Sequence, residues 1–284
     1  MSKHISTMPD CLSRRAMLGG LGGLGLAAAL SIEARAANSG GLFPAADNKE
    51  GWLKAWLRIQ ASLSEQDSPW WYTGRIYAQV GDQRPNHILN LEGTEIYWPR
   101  AMENGEYSIS SRTLTFFKDP GTDEMLEEFV NPYTGETLPA AANILGGPDG
   151  ARYTEDGMIF AAHIDPAGQL RRWNWDWKAA GPHVWLMASR AMAHAPQPWL
   201  EAMTMFCRRE DFADPGIDSL RSNFSSTYFS PWLPWMGMKG QPGHLIWHSS
   251  GCKLSSMDEV SEAYRERAER LFPGQLTANP NSFE

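Results

Sequence analysis

Apolar and polar positions alternate with a period of two over much of residues 70–254. In residues 70–80, one side carries Tyr72 and Ile76, whereas the other carries Thr73 and Arg75. Successive side chains of a β-strand point to opposite faces, so this alternation predicts a strand. It predicts further strands at residues 87–98, 107–118, 157–165, 169–179, 183–193, 201–210 and 243–254. Eight or more strands without βαβ alternation predict a mainly β fold, an antiparallel calycin-like barrel or a sandwich.

Two hairpin corners lie close together in residues 116–139. Residues 119–122 (Asp-Pro-Gly-Thr) and 131–135 (Asn-Pro-Tyr-Thr-Gly) combine the preset φ of proline with a permissive glycine. Between them, residues 125–130 alternate as a short strand with apolar groups on both faces. The stretch therefore predicts antiparallel strands joined by tight turns.

Two segments change to a helical period. In residues 48–64, Trp52, Trp56 and Ile59 recur at helical spacing, and residues 256–271 carry a second apolar stripe. Ser255 or Ser256 is a suitable N-cap for the second segment. The sequence thus predicts an N-terminal and a C-terminal helix packed on the β structure.

The N-terminal 36 residues have the order of an export signal. Arg14 and Arg15 precede an apolar Gly/Ala run at residues 19–30, and Ala-Arg-Ala follows at residues 34–36. The paired arginines predict a cleaved twin-arginine signal, with the twin-arginine export machinery as a partner and a periplasmic or secreted location. The run is shorter than the roughly 20 apolar residues of a membrane span, so no stable membrane insertion is expected after cleavage.

The domain organisation follows from these segments. After the signal we predict a linker at residues 37–47, a single β-rich domain at residues 48–276 and a mobile tail at residues 277–284. A β-rich domain of this size is ordinary.

Composition narrows the classes of partner. The net charge is −8 and the mature region has no Lys/Arg cluster, which argues against nucleic-acid binding. The chain has 13 Trp, 11 Phe and 8 Tyr, so aromatic side chains either fill the core or line a ligand cavity.

Cys207 and Cys252 remain after removal of the signal. Two thiols in an oxidising compartment are able to pair, but spacing alone leaves the pairing open. Neither has a neighbouring group that would lower its pKa, so a thiolate nucleophile is not predicted.

The turn stretch resembles a known family. Residues 119–126 (Asp-Pro-Gly-Thr-Asp-Glu-Met-Leu) and 131–137 (Asn-Pro-Tyr-Thr-Gly-Glu-Thr) are similar to the bacterial domain-of-unknown-function family 1838. Residues 230–238 (Ser-Pro-Trp-Leu-Pro-Trp-Met-Gly-Met) and 243–245 (Gly-His-Leu) extend the resemblance, whereas residues 143–149 depart from the expected Asn-Asp-Pro-Val-Asn-like run. The resemblance implies one exported domain and names no reaction.

Motifs for a cofactor or metal are weak. The sequence has no Gly-x-Ser-x-Gly elbow, His-Glu-x-x-His helix, dinucleotide fingerprint or phosphate loop. His244 and His248 lie four apart on a predicted strand and so share a face, but a metal would need a further ligand such as His163 or His183. We therefore predict no metal site, with His244 and His248 as weak candidates, and the cofactor stays unknown.

Charged groups on predicted strands give two alternatives. Arg112 shares a strand face with Leu114 and Phe116, and burying it requires a carboxylate or a ligand anion. It either braces the fold in an ion pair with Glu92 or Asp176, or orients a substrate while His163 or Glu92 carries a proton.

Aromatic side chains supply the predicted ligand contacts. Trp173, Trp175 and Trp177 share one face of a strand, and prolines stiffen the aromatic loop at residues 228–238. The predicted ligand-contact residues are Tyr72, Trp173, Trp175, Trp232, Trp235, Met236 and Met238.

Three functional hypotheses remain at this stage. The first is an exported protein that binds an apolar or aromatic small molecule in a barrel cavity. The second is an enzyme of the lyase, isomerase or hydrolase type that uses Arg112, His163 and Glu92. The third is a structural or partner-binding periplasmic protein, so the sequence does not decide whether the chain is an enzyme.

Overall fold

The computed structural model describes residues 41–162, 164–165, 167–192 and 199–283. The predicted signal at residues 1–36, with Arg14 and Arg15, lies outside them. Within the described part the chain is mainly β, as predicted, with the helices α1 (Lys49–Gln60), α2 (Arg209–Ala213) and α3 (Glu262–Leu271). None of the helices in these residues has the length and apolar character needed to cross a membrane.

Thirteen strands form in the described residues. They are β1 (Ser68–Gln79), β2 (Asn86–Ala101), β3 (Tyr107–Lys118), β4 (Glu128–Val130), β5 (Thr137–Pro139), β6 (Asn143–Thr154), β7 (Gly157–Phe160), β8 (Arg171–Arg172), β9 (Asp176–Ala180), β10 (His183–Met192), β11 (Trp199–Arg208), β12 (Ser222–Ser230) and β13 (His244–Lys253).

Eleven strands pair into one antiparallel sheet, in the order β8-β7-β6-β3-β2-β1-β13-β12-β11-β10-β9, and β4 pairs only with β5. Across the described residues no ladder joins β8 to β9, so the closed barrel among the predictions is not formed. The reason is local: β8 is two residues long, and the next residue, Trp173, donates its backbone N–H to the carbonyl of Asp156 beside β7. That bond keeps the chain on the β7 side.

The sheet is nevertheless strongly curved. Its two edge strands, β8 and β9, are consecutive in the chain and separated only by residues 173–175. Four peptide units span at most about 14 Å, so the two edges approach within that distance. Curving an antiparallel sheet this far produces a concave inner face, which carries Tyr72 and Ile76 on β1, and a convex outer face, which carries Trp71 and Thr73.

Helix α1 packs at one end of the inner face. Asn48 caps it by accepting the Gly51 N–H at 2.8 Å. Its residues Leu53 and Leu57 are completely buried. At the other terminus, Lys253 of β13 donates to the carbonyls of Arg58 and Ala61, both at 2.7 Å. These donated hydrogen bonds satisfy carbonyls that have no partner within the helix, so β13 fixes the position of α1.

The β4–β5 hairpin and a 3₁₀ turn at Pro234–Met236 pack at the other end of the inner face. Phe129 of β4 joins Phe117, Met236 and Trp247 in one buried apolar cluster. Asn131 connects the hairpin to the 3₁₀ turn because its Nδ2 donates to the Met236 carbonyl at 2.7 Å. Both predicted corners are formed, and Gly135 takes the positive φ of 75° that the second turn requires.

Helix α3 covers part of the outer face. Tyr264 donates its hydroxyl to the Leu114 carbonyl at 2.8 Å, deep in a cluster with Phe116. The helix begins later than the predicted residue 256, because Ser261 caps it and Val260 is extended with ψ 146°.

The C-terminal segment follows the same surface as far as residue 283. Asp67 accepts the Thr277 hydroxyl at 2.6 Å and the Ala278 N–H at 2.8 Å. Ala278 is fully buried. The residues predicted as a tail therefore contact the start of β1.

Candidate functional site

The two edges of the sheet meet at residues 173–175, which we call the tryptophan link. The Trp173 indole donates to the Thr154 carbonyl of β6 at 2.9 Å. On the other side, Asn174 Nδ2 donates to the Ser189 carbonyl of β10 at 2.6 Å and to its hydroxyl at 2.8 Å. Side chains of the link thus bond to strands near both edges of the sheet.

Tryptophans stack at this junction. The rings of Trp173 and Trp175 lie 4.4 Å apart and 17° from parallel. Trp56 of α1 lies 5.7 Å from Trp173 and 5.6 Å from Trp175. The shared face predicted for the link is confirmed for this pair, while Trp177 packs on Phe212 of α2. The stacked indoles form an aromatic wall.

A cavity of about 300 Å³ lies against this wall. Strands from both edges line it, with Tyr153 on β6, Ala188 on β10, and Met203 and Glu201 on β11, while Trp56 closes the α1 side. Cavities that hold small molecules are mostly apolar with a few placed polar groups, and they start at about this volume. The sheet's curvature creates the cavity, because its lining strands are far apart in the sheet order.

The inner face next to the cavity carries small side chains. Gly74, Ser249, Ser226 and Ala188 lie in one row across the sheet, with Met203 between the last two. Gly74, Ser249 and Ala188 are only half-buried although they lie in the middle of long strands. The large side chains that pack on α1 and on the 3₁₀ turn lie in other rows. The middle of the inner face therefore leaves room beside the cavity.

Two charged groups at the cavity, Glu201 and Arg171, have partners. Glu201 accepts the Ser226 hydroxyl at 3.2 Å. Arg171 pairs with the buried Asp165 at 2.9 Å and lies over the Phe160 ring. The cavity thus combines an aromatic wall with carboxylate and guanidinium groups that the protein itself positions.

Tyr72 lies on the inner face outside the cavity lining. Its hydroxyl is 2.7 Å from the Thr115 hydroxyl, and its ring covers Gly93 so closely that a Cβ there would lie 2.5 Å from Tyr72 Cζ. Burial raises the pKa of Tyr72 well above its ordinary value, so the phenol stays protonated. Its available role is that of a neutral hydrogen-bonding group.

The structure does not bring the predicted acid–base group together. Arg112 shares its face with Leu114 and Phe116 as predicted, but this is the outer face. Its guanidinium donates to the Ser282 carbonyl at 2.6 Å and stacks 4.0 Å from the Phe283 ring centre. Burial lowers its pKa.

Glu92 lies on β2, the strand that pairs with β3. Arg112 pairs with Ile96, whereas Glu92, four residues before Ile96, pairs with Phe116. Four residues of strand separate them by about 13 Å. Glu92 instead accepts the Trp71 indole N–H at 2.9 Å and the Lys118 ammonium at 3.4 Å. His163 lies outside the described residues.

The proline-stiffened loop packs into the core. Met236 and Met238 are buried at 1% and 4% exposure. Trp235 packs between Phe117 and Phe129, and Trp232 meets Tyr133 edge-on. These four predicted contact residues therefore lie at the opposite end of the inner face from the cavity.

The structure also shows where the other histidine and cysteine candidates lie. His244 and His248 share the outer face, as predicted for a spacing of four, and His248 Nδ1 lies 3.1 Å from the Thr227 hydroxyl. No group of three ligating side chains occurs among the described residues. Cys207 and Cys252 are both free thiols, and they lie two strands apart on opposite faces.

Several lining residues were not predicted. Trp56 was predicted only as part of an aromatic helix face, and Glu201 and Met203 were not singled out. Glu201 precedes Met203 and Met205 on the same face of its strand, and a carboxylate on an apolar face is a usable signal. The contribution of Tyr153 has no such signal, because β6 itself was not predicted.

The model of one family matches residues 65–284 and is described as a protein of unknown function, DUF1838. The match covers all the motifs that carried the resemblance and confirms it. Among curated proteins, none matches this sequence closely enough to count as a relative.

Proposed function

We propose that this chain, which belongs to the DUF1838 family of proteins of unknown function, binds an apolar or aromatic small molecule in the tryptophan-lined cavity. The observation that carries the proposal is the stacked wall of Trp173 and Trp175, which borders about 300 Å³ of space inside a curved sheet. Aromatic rings prefer offset-stacked or edge-on neighbours, so these indoles favour an aromatic ligand.

A calycin-like mode of ligand binding is part of this proposal. A curved antiparallel sheet holds the ligand on its concave face, and α1 and the 3₁₀ turn restrict access from the two ends. The small side chains between these ends support it, because they leave the middle of the inner face unfilled.

Binding is better supported than catalysis by the predicted acid–base group. Arg112 and Glu92 are about 13 Å apart, and each already has partners on the outer face. The side chains that line the cavity instead suit recognition. We therefore place the enzyme hypothesis second and the structural or partner-binding hypothesis third.

We also propose that the chain is exported by the twin-arginine pathway to the periplasm or beyond. The support is the order of paired arginines, apolar run and small-residue cleavage site in residues 1–36. Replacing Arg14 and Arg15 together by lysine should retain the precursor in the cytoplasm. Normal maturation of that double variant in the native host would overturn the export proposal.

Binding can be tested by titrating the protein with 2-naphthol in a calorimeter. Ala188→Leu adds apolar volume to the cavity lining and should weaken binding at least tenfold. Ala180→Leu is the matched control, since Ala180 is exposed at the end of β9 and should leave the affinity unchanged. Undetectable binding to the wild type, or equal binding by both variants, contradicts the cavity as the site.

A third variant separates the two sets of predicted aromatic contacts. Trp232→Leu changes a half-buried tryptophan at the far end of the inner face and should bind 2-naphthol normally. If Trp232→Leu loses binding while Ala188→Leu retains it, the ligand lies at the loop of Trp232 and Trp235. Native mass spectrometry of protein taken from its own compartment would then show which molecule is held.

A further inference from the structure

Trp56 has an unusual position in an otherwise satisfied helix. It lines the cavity, its side chain is 5% exposed, and no acceptor in the described part of the chain lies within hydrogen-bonding distance of its indole Nε1. Buried tryptophan N–H groups usually find a partner, because an unmet donor costs free energy.

The surroundings of Trp56 make the unmet donor stand out. The next polar side chains along α1 are all bonded: Arg58 donates to the Phe212 carbonyl at 3.0 Å, and Gln60 Oε1 accepts the Tyr153 hydroxyl at 3.0 Å. The Trp173 indole, which packs on Trp56, also has its acceptor at 2.9 Å. The local packing thus satisfies these neighbours and leaves Nε1 of Trp56 as an unmet donor in a residue that lines the cavity.

From this we infer that the ligand carries an oxygen acceptor, as a hydroxyl, carbonyl or carboxylate on an aromatic ring, which receives the Trp56 indole N–H. This inference rests on the proposed binding function and specifies its ligand class. The ring packs on the wall of Trp173 and Trp175, and the oxygen points toward α1. Trp56 is then a specificity-determining residue, because a plain hydrocarbon leaves its donor unmet.

The remaining polar groups of the cavity fit such a ligand. Glu201 and Ser226 form a bonded pair on the β11–β12 side, where a second substituent with a donor hydrogen is able to bind the carboxylate. Arg171 is held by Asp165, and the exposed Arg172 lies in the lining. The lining therefore fits either an uncharged or an anionic acceptor, and the experiment below distinguishes the two.

The experiment compares naphthalene, 2-naphthol and 2-naphthoate by calorimetry on the wild type, Trp56→Phe and Trp52→Phe. Wild type should bind 2-naphthol or 2-naphthoate about three- to tenfold more tightly than naphthalene. This is the ratio of affinities expected from one net hydrogen bond. Trp56→Phe keeps an aromatic ring without the N–H and should reduce this preference to about one, with naphthalene affinity little changed. Trp52→Phe, one turn earlier on α1 and outside the cavity lining, should keep it.

The outcomes separate the inference from the function on which it rests. If naphthalene and the oxygenated compounds bind wild type equally, or if Trp56→Phe keeps the preference, the oxygen-acceptor inference is overturned while cavity binding stands. If none of the three compounds binds wild type, both fall. The better of 2-naphthol and 2-naphthoate decides between a neutral and an anionic acceptor.

A second measurement covers the case in which Trp56→Phe does not fold. In ¹⁵N-labelled wild type, 2-naphthol or 2-naphthoate should shift the Trp56 indole N–H resonance downfield, as a new hydrogen bond does. Naphthalene should not. An indole resonance that responds equally to all three compounds overturns the inference.

Discussion

Asn131 holds the β4–β5 hairpin against the 3₁₀ turn. Replacing it tests whether this contact stabilises that end of the inner face. The side chain is 1% exposed. Its Oδ1 accepts the N–H groups of Tyr133 at 2.8 Å and Thr134 at 3.2 Å, and its Nδ2 donates to the Met236 carbonyl at 2.7 Å. Asn131→Ala removes all three bonds at once.

The expected loss follows from these contacts. Each neutral hydrogen bond contributes about 0.5–1.5 kcal/mol net, and a buried carbonyl left without a donor costs about 1–3 kcal/mol. The Tyr133 and Thr134 N–H groups are near the surface and regain water, whereas the Met236 carbonyl is buried. We expect Asn131→Ala to lower the free energy of unfolding by about 3–5 kcal/mol, measured by urea denaturation followed by tryptophan fluorescence.

Asp119 provides a matched control in the neighbouring turn. It also accepts two backbone N–H groups, those of Gly121 and Thr122, both at 2.8 Å. Among the described residues its side chain has no buried third bond of the Asn131 kind, so Asp119→Ala should cost clearly less. If both variants lose the same stability, the buried bond to Met236 does not hold the hairpin and the explanation is wrong.

Asn131→Asp separates the acceptor from the donor. The substitution keeps an oxygen for the turn N–H groups but places a carboxylate against the Met236 carbonyl, and two acceptors repel. We expect it to be at least as destabilising as Asn131→Ala. Stability closer to wild type than to Asn131→Ala would show that the turn bonds, not the bond to Met236, dominate.

Three further predictions concern buried groups of the inner face and the thiols. Burial raises the pKa of the Cys207 thiol to about 12, above the unfolded value of about 8.5, so its contribution to stability is complete below pH 8.5 and is lost as the pH rises toward 12. Between pH 8 and 10, wild type should lose up to about 2 kcal/mol more than Cys207→Ala in urea denaturation, and parallel curves would contradict this. In native protein at pH 8, iodoacetamide should label half-buried Cys252 before Cys207, as peptide mapping will show. Gly93→Ala should cost about 1–3 kcal/mol because its Cβ meets Tyr72, and little in a Tyr72→Ala background; an equal cost in both backgrounds would exclude that clash.

The sequence predicted most of the strands because their two faces differ or both carry apolar groups. The prediction of residues 107–118 coincides with β3, and residues 243–254 contain β13. β6 was missed because Gly146, Gly147 and Pro148 are turn residues by composition. In the structure they lie where the β3–β6 register shifts between Ile109 and Ser111, and such an irregularity accommodates residues that regular strands exclude.

β12 was missed for a different reason. Its sequence is rich in serine, and residues 228–238 were interpreted as one loop. Ser226 and Tyr228 nevertheless face inward in register with Ser249 and Trp247. A strand that leaves space on the inner face has small polar residues where a packed strand has apolar ones, so the feature that creates the site also hides the strand.

The alternation pattern could not show which face of each strand lies on the concave side of the sheet. Arg112, Leu114 and Phe116 share a face as predicted, but α3 covers the outer face, so both sides of β3 are buried and the pattern fits either assignment. Burial of Arg112 was therefore predictable, whereas its partners Ser282 and Phe283 come from 170 residues further along the chain. Long-range contacts of this kind leave no local signal.

The tryptophan link connects fold and site in one element. Because β8 and β9 are joined by three residues, the link brings the β6–β7 side and the β10–β11 side within about 14 Å of each other. The same residues then supply the aromatic wall, since alternation places Trp173 and Trp175 on one face and turns Asn174 toward Ser189. A longer link would let the edges separate and would widen the cavity, so under the proposed binding function the length of this connection, together with its two indoles, sets the size of ligand that fits.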